Sequence, residues 1–238
     1  MQDAEGARPA GRQRWRDLLF LHWPVPLDSL RPLVPRGLEI DSFAGESYVS
    51  LILFEIIESR PEGAPRVMAS HFLETNVRTY VRDADGEPGV YFFSLEASSL
   101  LAVTAARLLF GLPYFHAAMC MRREGAETQY TSRRRGSRDA TIEVAWSIGD
   151  ALDAAADGSR DHFLIERYSL YVARHRGLYR GRVRHRPYPL RRVTVKRLRQ
   201  TLLSAAALPA PSAPPIAHYS PGVDVEIFWL KRVKGVPR

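Results

Sequence analysis

The stretch Ala105-Ala-Arg-Leu-Leu-Phe-Gly-Leu-Pro-Tyr-Phe-His-Ala117 reads as the end of a helix, a Gly-x-Pro break, and the start of a strand. Gly111 suits the left-handed position just past a helix end, and Pro113 cannot continue the helix. Upstream, Ser98 or Ser99 can cap a helix that runs through Leu100 to Phe110. A helix delivered to a strand in this way sits inside a chain whose other segments mostly carry strand patterns, so the expected class is mainly β with a few helices.

From Trp15 onward, strand-like runs of about 6–10 residues alternate with turn signals. Ser47 to Ile57 is nearly continuous in apolar residues, as expected of a strand buried on both sides. Phe72 to Val81 alternates, Asp83 to Gly86 forms a turn, and Val90 to Ala97 supplies the second strand of a hairpin. Thr141 to Ile148 alternates as a half-buried strand. Leu27 to Pro35 suggests a short helix with Asp28 as its cap and Pro35 as its stop, whereas Arg160 to Arg174 fits either element. Asp150 to Ser159 and Ala205 to Pro215 read as loops. Residues 1–13 are expected to be a disordered tail and 14–238 a single domain, because no repeat and no shift in composition divides the rest.

Composition narrows the function classes. With 238 residues and 45% hydrophobic content, the chain can bury a substantial core. No apolar run approaches the ~18 residues a spanning helix needs. The polar, Arg-rich N-terminus does not read as a signal peptide, and a cytoplasmic location is expected. The single cysteine, Cys120, excludes an internal disulfide and is expected to be a buried small hydrophobe in Ala-Ala-Met-Cys-Met. The net charge of +8 raises the question of nucleic acid. Lysine occurs at positions 196, 231 and 234 alone, so nearly all the charge is arginine. The clusters Arg133-Arg134-Arg135 and Arg180 to Arg199 lie beside strand patterns, where solvated outer sheet faces are the simpler reading.

Several segments together resemble the YqjF-like family of bacterial proteins, placed with the acetoacetate decarboxylase-like fold. They are Trp23-Pro-Val-Pro26, Leu33-Val-Pro-Arg-Gly-Leu-Glu-Ile-Asp41, Phe72 to Val81, Gly89-Val-Tyr-Phe-Phe-Ser-Leu95, Leu112-Pro-Tyr114, Glu166-Arg-Tyr168 and His218-Tyr-Ser-Pro-Gly-Val-Asp224. They run in order across almost the whole chain. The resemblance implies a closed, cone-like antiparallel β-barrel around a small-molecule-sized cavity. Relatives that decarboxylate through a Schiff base carry a lysine directly after the Gly-x-Pro turn. Here Tyr114 and Phe115 follow it, and all lysines lie beyond residue 195. Thr194 to Leu198 reads as a strand with the charge of Lys196 outside, so Schiff-base chemistry is not expected.

Period-2 alternation places Phe72, Glu74, Asn76, Arg78 and Tyr80 on one face. If that face lines a cavity, Arg78 could clamp a substrate carboxylate or developing enolate, and Glu74 could serve as a general acid or base. The resemblance matches Glu74 to a glutamate that the decarboxylase-like enzymes carry on an early central strand. The competing reading is a structural ion pair or a solvent face. Tyr114 and His116 share a face by the same rule. Tyr114 stands about where relatives keep the lysine and could donate to a bound oxyanion, and His116 could titrate near neutrality. Asn76, Tyr80, Tyr91 and Phe115 are candidates for ligand contact, among walls that would also draw on Tyr48, Phe54, Phe92, Phe93 and Trp146.

No ligand spacing appears among His22, His71, His162, His175, His185 and His218, so neither a metal nor another cofactor is expected. Glycine-rich phosphate loops and a Gly-x-Ser-x-Gly elbow are absent. Three functions are carried forward. The first is a lysine-independent lyase, hydratase or cyclase acting on a small carbonyl or carboxylate compound. The second is a non-catalytic small-molecule-binding barrel. The third, an arginine-rich nucleic-acid binder, ranks well behind. The sequence leaves the oligomeric state open, a homo-oligomer included.

Overall fold

The computed structural model describes residues 7–137, 139–174 and 177–233. Chain order begins with β1 (Gly11–Val25), α1 (Leu27–Leu30), β2 (Glu39–Ile40), β3 (Ser47–Pro61), β4 (Ser70–Arg82) and β5 (Pro88–Ala97). Next come α2 (Leu100–Phe110), β6 (Tyr114–Glu124), β7 (Glu127–Arg134), β8 (Thr141–Leu152), α3 (Arg160–Ile165), β9 (Ser169–Arg174) and β10 (Gly177–Arg184). The last elements are β11 (Leu190–Gln200), α4 (Leu202–Ala205), β12 (Ile216–Ile227) and β13 (Lys231–Arg232).

Hydrogen-bonded neighbours run from β5 through β6, β7, β8, β11, β12, β1 and β3 to β4, and β4 pairs with β5 again. A second circuit leaves β5 for β9 and β10 and rejoins at β12. The strands β12, β1, β3, β4 and β5 are common to both. Apolar side chains of the shared strands divide between two main clusters. Leu18, Phe20, Ile52, Phe54 and Tyr80 pack in one cluster, and Leu19, Leu21, Leu51, Leu53, Val77 and Trp146 in another. Successive residues of β1 and β3 therefore enter opposite cores, which is why Tyr48 to Ile56 is apolar at every position but Ser50 and Glu55.

The helix and hairpin expectations hold closely. Ser99 caps α2, its hydroxyl accepting from the Ala102 N–H, and Gly111 follows at φ +63°. β4 and β5 form the antiparallel hairpin.

Other expectations need correction. The pairings β5–β6 and β5–β9 are parallel, so the sheet is mixed rather than wholly antiparallel. The α2 crossover reverses the chain between β5 and β6, and two strands joined by such a crossover run the same way. Strand β1 starts at Gly11, taking residues 11–13 of the expected tail into ladders with β3 and β12. Pro26, not Asp28, is the N-cap of α1, whose four residues end at Leu30. Arg160 to Arg174 holds both elements, α3 and then β9, and β8 extends into the expected loop as far as Leu152. Cys120 is exposed, on the side of β6 that runs from half-buried Ala118 to exposed Arg122. Arg134 is not on a solvated face but pairs with Glu96, which is fully buried. Lys196 is exposed on β11. His175 and Lys234 lie outside the described residues.

Candidate functional site

The polar face of β4 opens onto a cavity of about 160 Å³. Glu74, Asn76 and Arg78 line it from β4, Leu95 and Phe92 from β5, and Phe20, Ile52 and Phe54 from β1 and β3. Residues Ala106 and Phe110 of α2 cover one side, and Tyr114 enters from the first position of β6. The helix–Gly-x-Pro–strand break thus sets a tyrosine against β4. Pairing of Leu95 with Tyr114 fixes the height at which it enters.

The Tyr114 hydroxyl donates to Glu74 Oε2 at 2.7 Å. Glu74 is 4% exposed, and burial pushes its carboxyl up to about 7. The hydrogen bonds from Tyr114 and Asn76 pull it back only in part, and the charge of Glu96 on the far side of the sheet adds to the rise. Tyr114 itself is raised well above the usual phenol range, first by burial of its hydroxyl and then by the neighbouring Glu74 charge, so it remains a donor.

Arg78 is 8% exposed and donates from Nη2 to the Leu164 carbonyl at 3.2 Å. Its Nε has no partner, and among the described residues no carboxylate lies within ion-pair reach of it. Glu74 and Arg78 stand four residues apart, about 13 Å between Cα atoms at strand rise. The two charges are therefore not locked together and face one cavity. Asn76 Oδ1 is likewise buried without a partner. Such groups are costly to bury unsatisfied, and here they line the same space.

The other candidates are placed differently. Tyr80 is fully buried and does not line the cavity. Its hydroxyl sits in a network with Ser50 Oγ (2.7 Å) and His22 Nδ1 (3.0 Å) and donates to the Leu164 carbonyl (2.8 Å). Leu164 thus ties Tyr80 to Arg78. Tyr91 packs edge-on to Phe93 in a separate cluster. Phe115 points to the opposite face, beneath the Arg134 guanidinium at 3.8 Å. His116, two residues along from Tyr114, is not among the residues lining the cavity.

Gln13, Trp15 and Tyr188 also line the cavity, and the sequence offered no signal for them. They come from β1 and from the segment between β10 and β11, which tertiary pairing alone brings to β4. The same holds for His22, buried with its ring 5.2 Å from that of His218. Burial, reinforced by the charge of His218, keeps His22 well below the usual histidine range, hence neutral. Among the described residues no group of three or more His, Cys, Asp or Glu side chains is arranged to hold a metal ion. No helix of the described residues is long and apolar enough to cross a membrane.

Against known proteins, the family described as DUF2071, uncharacterized conserved protein, matches residues 12–224. The uncharacterized protein YqjF of Bacillus subtilis (strain 168) is 37% identical over 222 residues, covering 93% of this chain and 91% of that protein. Among solved structures, the enduracididine biosynthesis enzyme MppR complexed with pyruvate superposes with a TM-score of 0.67 at 11% identity, covering 97% of this chain and 93% of that one. An acetoacetate decarboxylase-like enzyme from Sphingomonas wittichii RW1 does so with a TM-score of 0.63 at 16% identity, covering 96% and 94%. At these identities the structural likeness is one of fold.

Proposed function

Because the chain belongs to the DUF2071 family and shares the acetoacetate decarboxylase-like fold, we propose that its cavity binds a small carbonyl or carboxylate compound and moves a proton on it without a Schiff-base lysine. In this reading the sheet circuits act as a closed, cone-like barrel around the ligand. The observation that carries the proposal is the pairing, in one cavity, of a buried carboxyl poised at about 7 with an arginine that has no carboxylate partner among the described residues.

Arg78 would take the ligand carboxylate, using the donors that Leu164 leaves free. Asn76 Oδ1 would accept from a hydroxyl or amino group on the neighbouring carbon. Glu74, near half-protonated at neutral pH, can remove a proton from a carbon beside the carbonyl or return one to an oxygen. Tyr114 would keep Glu74 oriented. Lyase, hydratase and cyclase reactions all use that step. No lysine lines the cavity, which supports the exclusion of Schiff-base decarboxylation. A volume of about 160 Å³ suits a compact ligand, since an apolar cavity of ~150 Å³ accommodates benzene. The alternative is a binding protein without turnover, favoured by the mainly aromatic and aliphatic walls.

A thermal-shift screen of small keto acids, hydroxy acids and aromatic carboxylates tests binding, and solvent-deuterium exchange of the ligand's α-protons tests chemistry. Arg78→Ala should weaken binding about 10–100-fold, the loss of a charge-assisted contact. Glu74→Gln should retain binding and lose exchange. Binding without exchange in the unmodified protein would favour the binding reading. Stabilisation by none of these compounds, or equally in Arg78→Ala, would overturn the role of Arg78.

A further inference from the structure

On the outer side of the wall formed by Gln13 and Trp15, a groove of about 1080 Å³ runs between the start of β1, the end of β3, the segment after β10 and the end of β12. Gln13 lines both spaces. Its amide spans the wall, donating to Ser59 Oγ at 3.0 Å and accepting from Trp15 Nε1 at 2.6 Å.

The groove is unusually basic. Arg12, Arg14, Arg16, Arg60, Arg66, Arg184 and Arg186 line it, against Glu58, Asp224 and Glu226. Seven guanidiniums on three carboxylates leave four in excess, or three once Glu62, just outside the groove and bonded to Arg12, is counted. The carboxylates are shared. Arg14, Arg60 and Arg66 all reach Glu58, Arg14 and Arg16 reach Asp224, and Arg12 and Arg184 reach Glu226. Arg186 has no carboxylate within ion-pair distance among the described residues, and Arg66 touches its own only at 3.7 Å. A guanidinium carries five donors, so most of the hydrogen-bonding capacity here is unspent on protein. Adjacent strands hold Arg12, Arg14 and Arg16 at alternate positions, a spacing set by backbone ladders rather than by the ion pairs.

We propose that this groove is a binding site for a small polyanion of phosphate or polycarboxylate chemistry, separate from the cavity and adjoining it at Gln13. Arginine forks bind both kinds of oxyanion bidentately, and the concave, one-signed surface concentrates anions from solution. The site does not depend on the function proposed for the cavity.

The test is calorimetric titration of the full chain at low salt with pyrophosphate and, separately, with citrate. Arg66→Ala/Arg186→Ala removes the two arginines least engaged by protein, so the fold should survive. Binding of either anion should weaken about tenfold in that variant and fall steeply with added salt. The tighter of the two identifies the chemistry. Arg78→Ala, in the cavity, should bind the anion as the unmodified protein does, which separates the two sites. The proposal is overturned if neither anion binds, if the double variant binds both unchanged, or if a single-stranded oligonucleotide binds more tightly than both and is lost in the double variant. The last result would make the groove a nucleic-acid surface.

Discussion

Glu74 illustrates how a single buried group couples site chemistry to stability. Its carboxyl has an ordinary value of 4.5 and is held at about 7 in the folded protein, first by desolvation. Between those values the folded state keeps a proton that the unfolded chain has released. A raised value therefore stabilises fully below about 4.5 and is lost as pH rises through 7. A shift of this size corresponds to about 3 kcal/mol. Buried, neutral His22 works in the opposite sense, its contribution being lost as pH falls below 6.5, but it is common to any Glu74 variant. Glu74→Gln should consequently flatten the pH dependence. Urea unfolding at pH 5 and pH 8 should show the unmodified protein losing about 2.5 kcal/mol more than the variant across that interval, the remainder having been lost already below pH 5. Equal losses would mean that Glu74 is ionised in the fold.

At the scale of elements, α2 is the piece on which the site depends. Its only buried residue is Val103, while Leu100, Leu101, Leu108 and Leu109 are exposed. Packing therefore holds it weakly, and its ends matter more than usual. Ser99 satisfies a free N–H at one end and Gly111, at φ +63°, closes the other through its N–H to the Arg107 carbonyl. Ser99→Ala should cost about 1 kcal/mol. Hydrogen exchange should then quicken over residues 100–110 more than in β1 or β3, because α2 can open without them. Uniform exchange across the chain would contradict that local opening. A second backbone requirement lies at Gly222, φ +135°, where a Cβ would meet the Trp15 carbonyl oxygen at 2.2 Å. That close approach lets β12 follow the bulged part of β1 at the rim of the basic groove.

The whole molecule is organised by a wall of strands with a core on each side. Leu51 and Ile52 are consecutive residues of β3, each buried, and they belong to different cores. Neither core can lose order without disturbing the strands of the other. Leu51→Ala and Ile52→Ala should each cost about 2–5 kcal/mol. Both should shift one common unfolding transition, followed by tryptophan fluorescence and far-ultraviolet circular dichroism, rather than split it. Two separated transitions in either variant would show the cores to be independent.

Local chemistry made much of this legible in the chain itself. Helix α2 and its boundaries follow from Ser99, Gly111 and Pro113, whose preferences act within a few residues. The hairpin β4–β5 and the common face of Glu74, Asn76 and Arg78 follow from period-2 alternation and a four-residue turn. The absence of a lysine after the Gly-x-Pro break is likewise plain in the sequence. Alternation states which residues share a face but not what that face meets. Tyr80 shares the face of Arg78 yet is drawn into the network with Ser50 and His22, and His116 shares the expected face of Tyr114 without reaching the cavity. Pairings between strands far apart in the chain decide those outcomes. They also bring Gln13, Trp15 and Tyr188 to the cavity, and they gather the arginines of β1, β3 and the segment after β10 into one groove. The sequence by itself determined the elements and the inventory of chemical groups, because those depend on neighbours along the chain. Only the tertiary structure decided which groups are desolvated together, because burial and charge proximity belong to the spatial arrangement of strands.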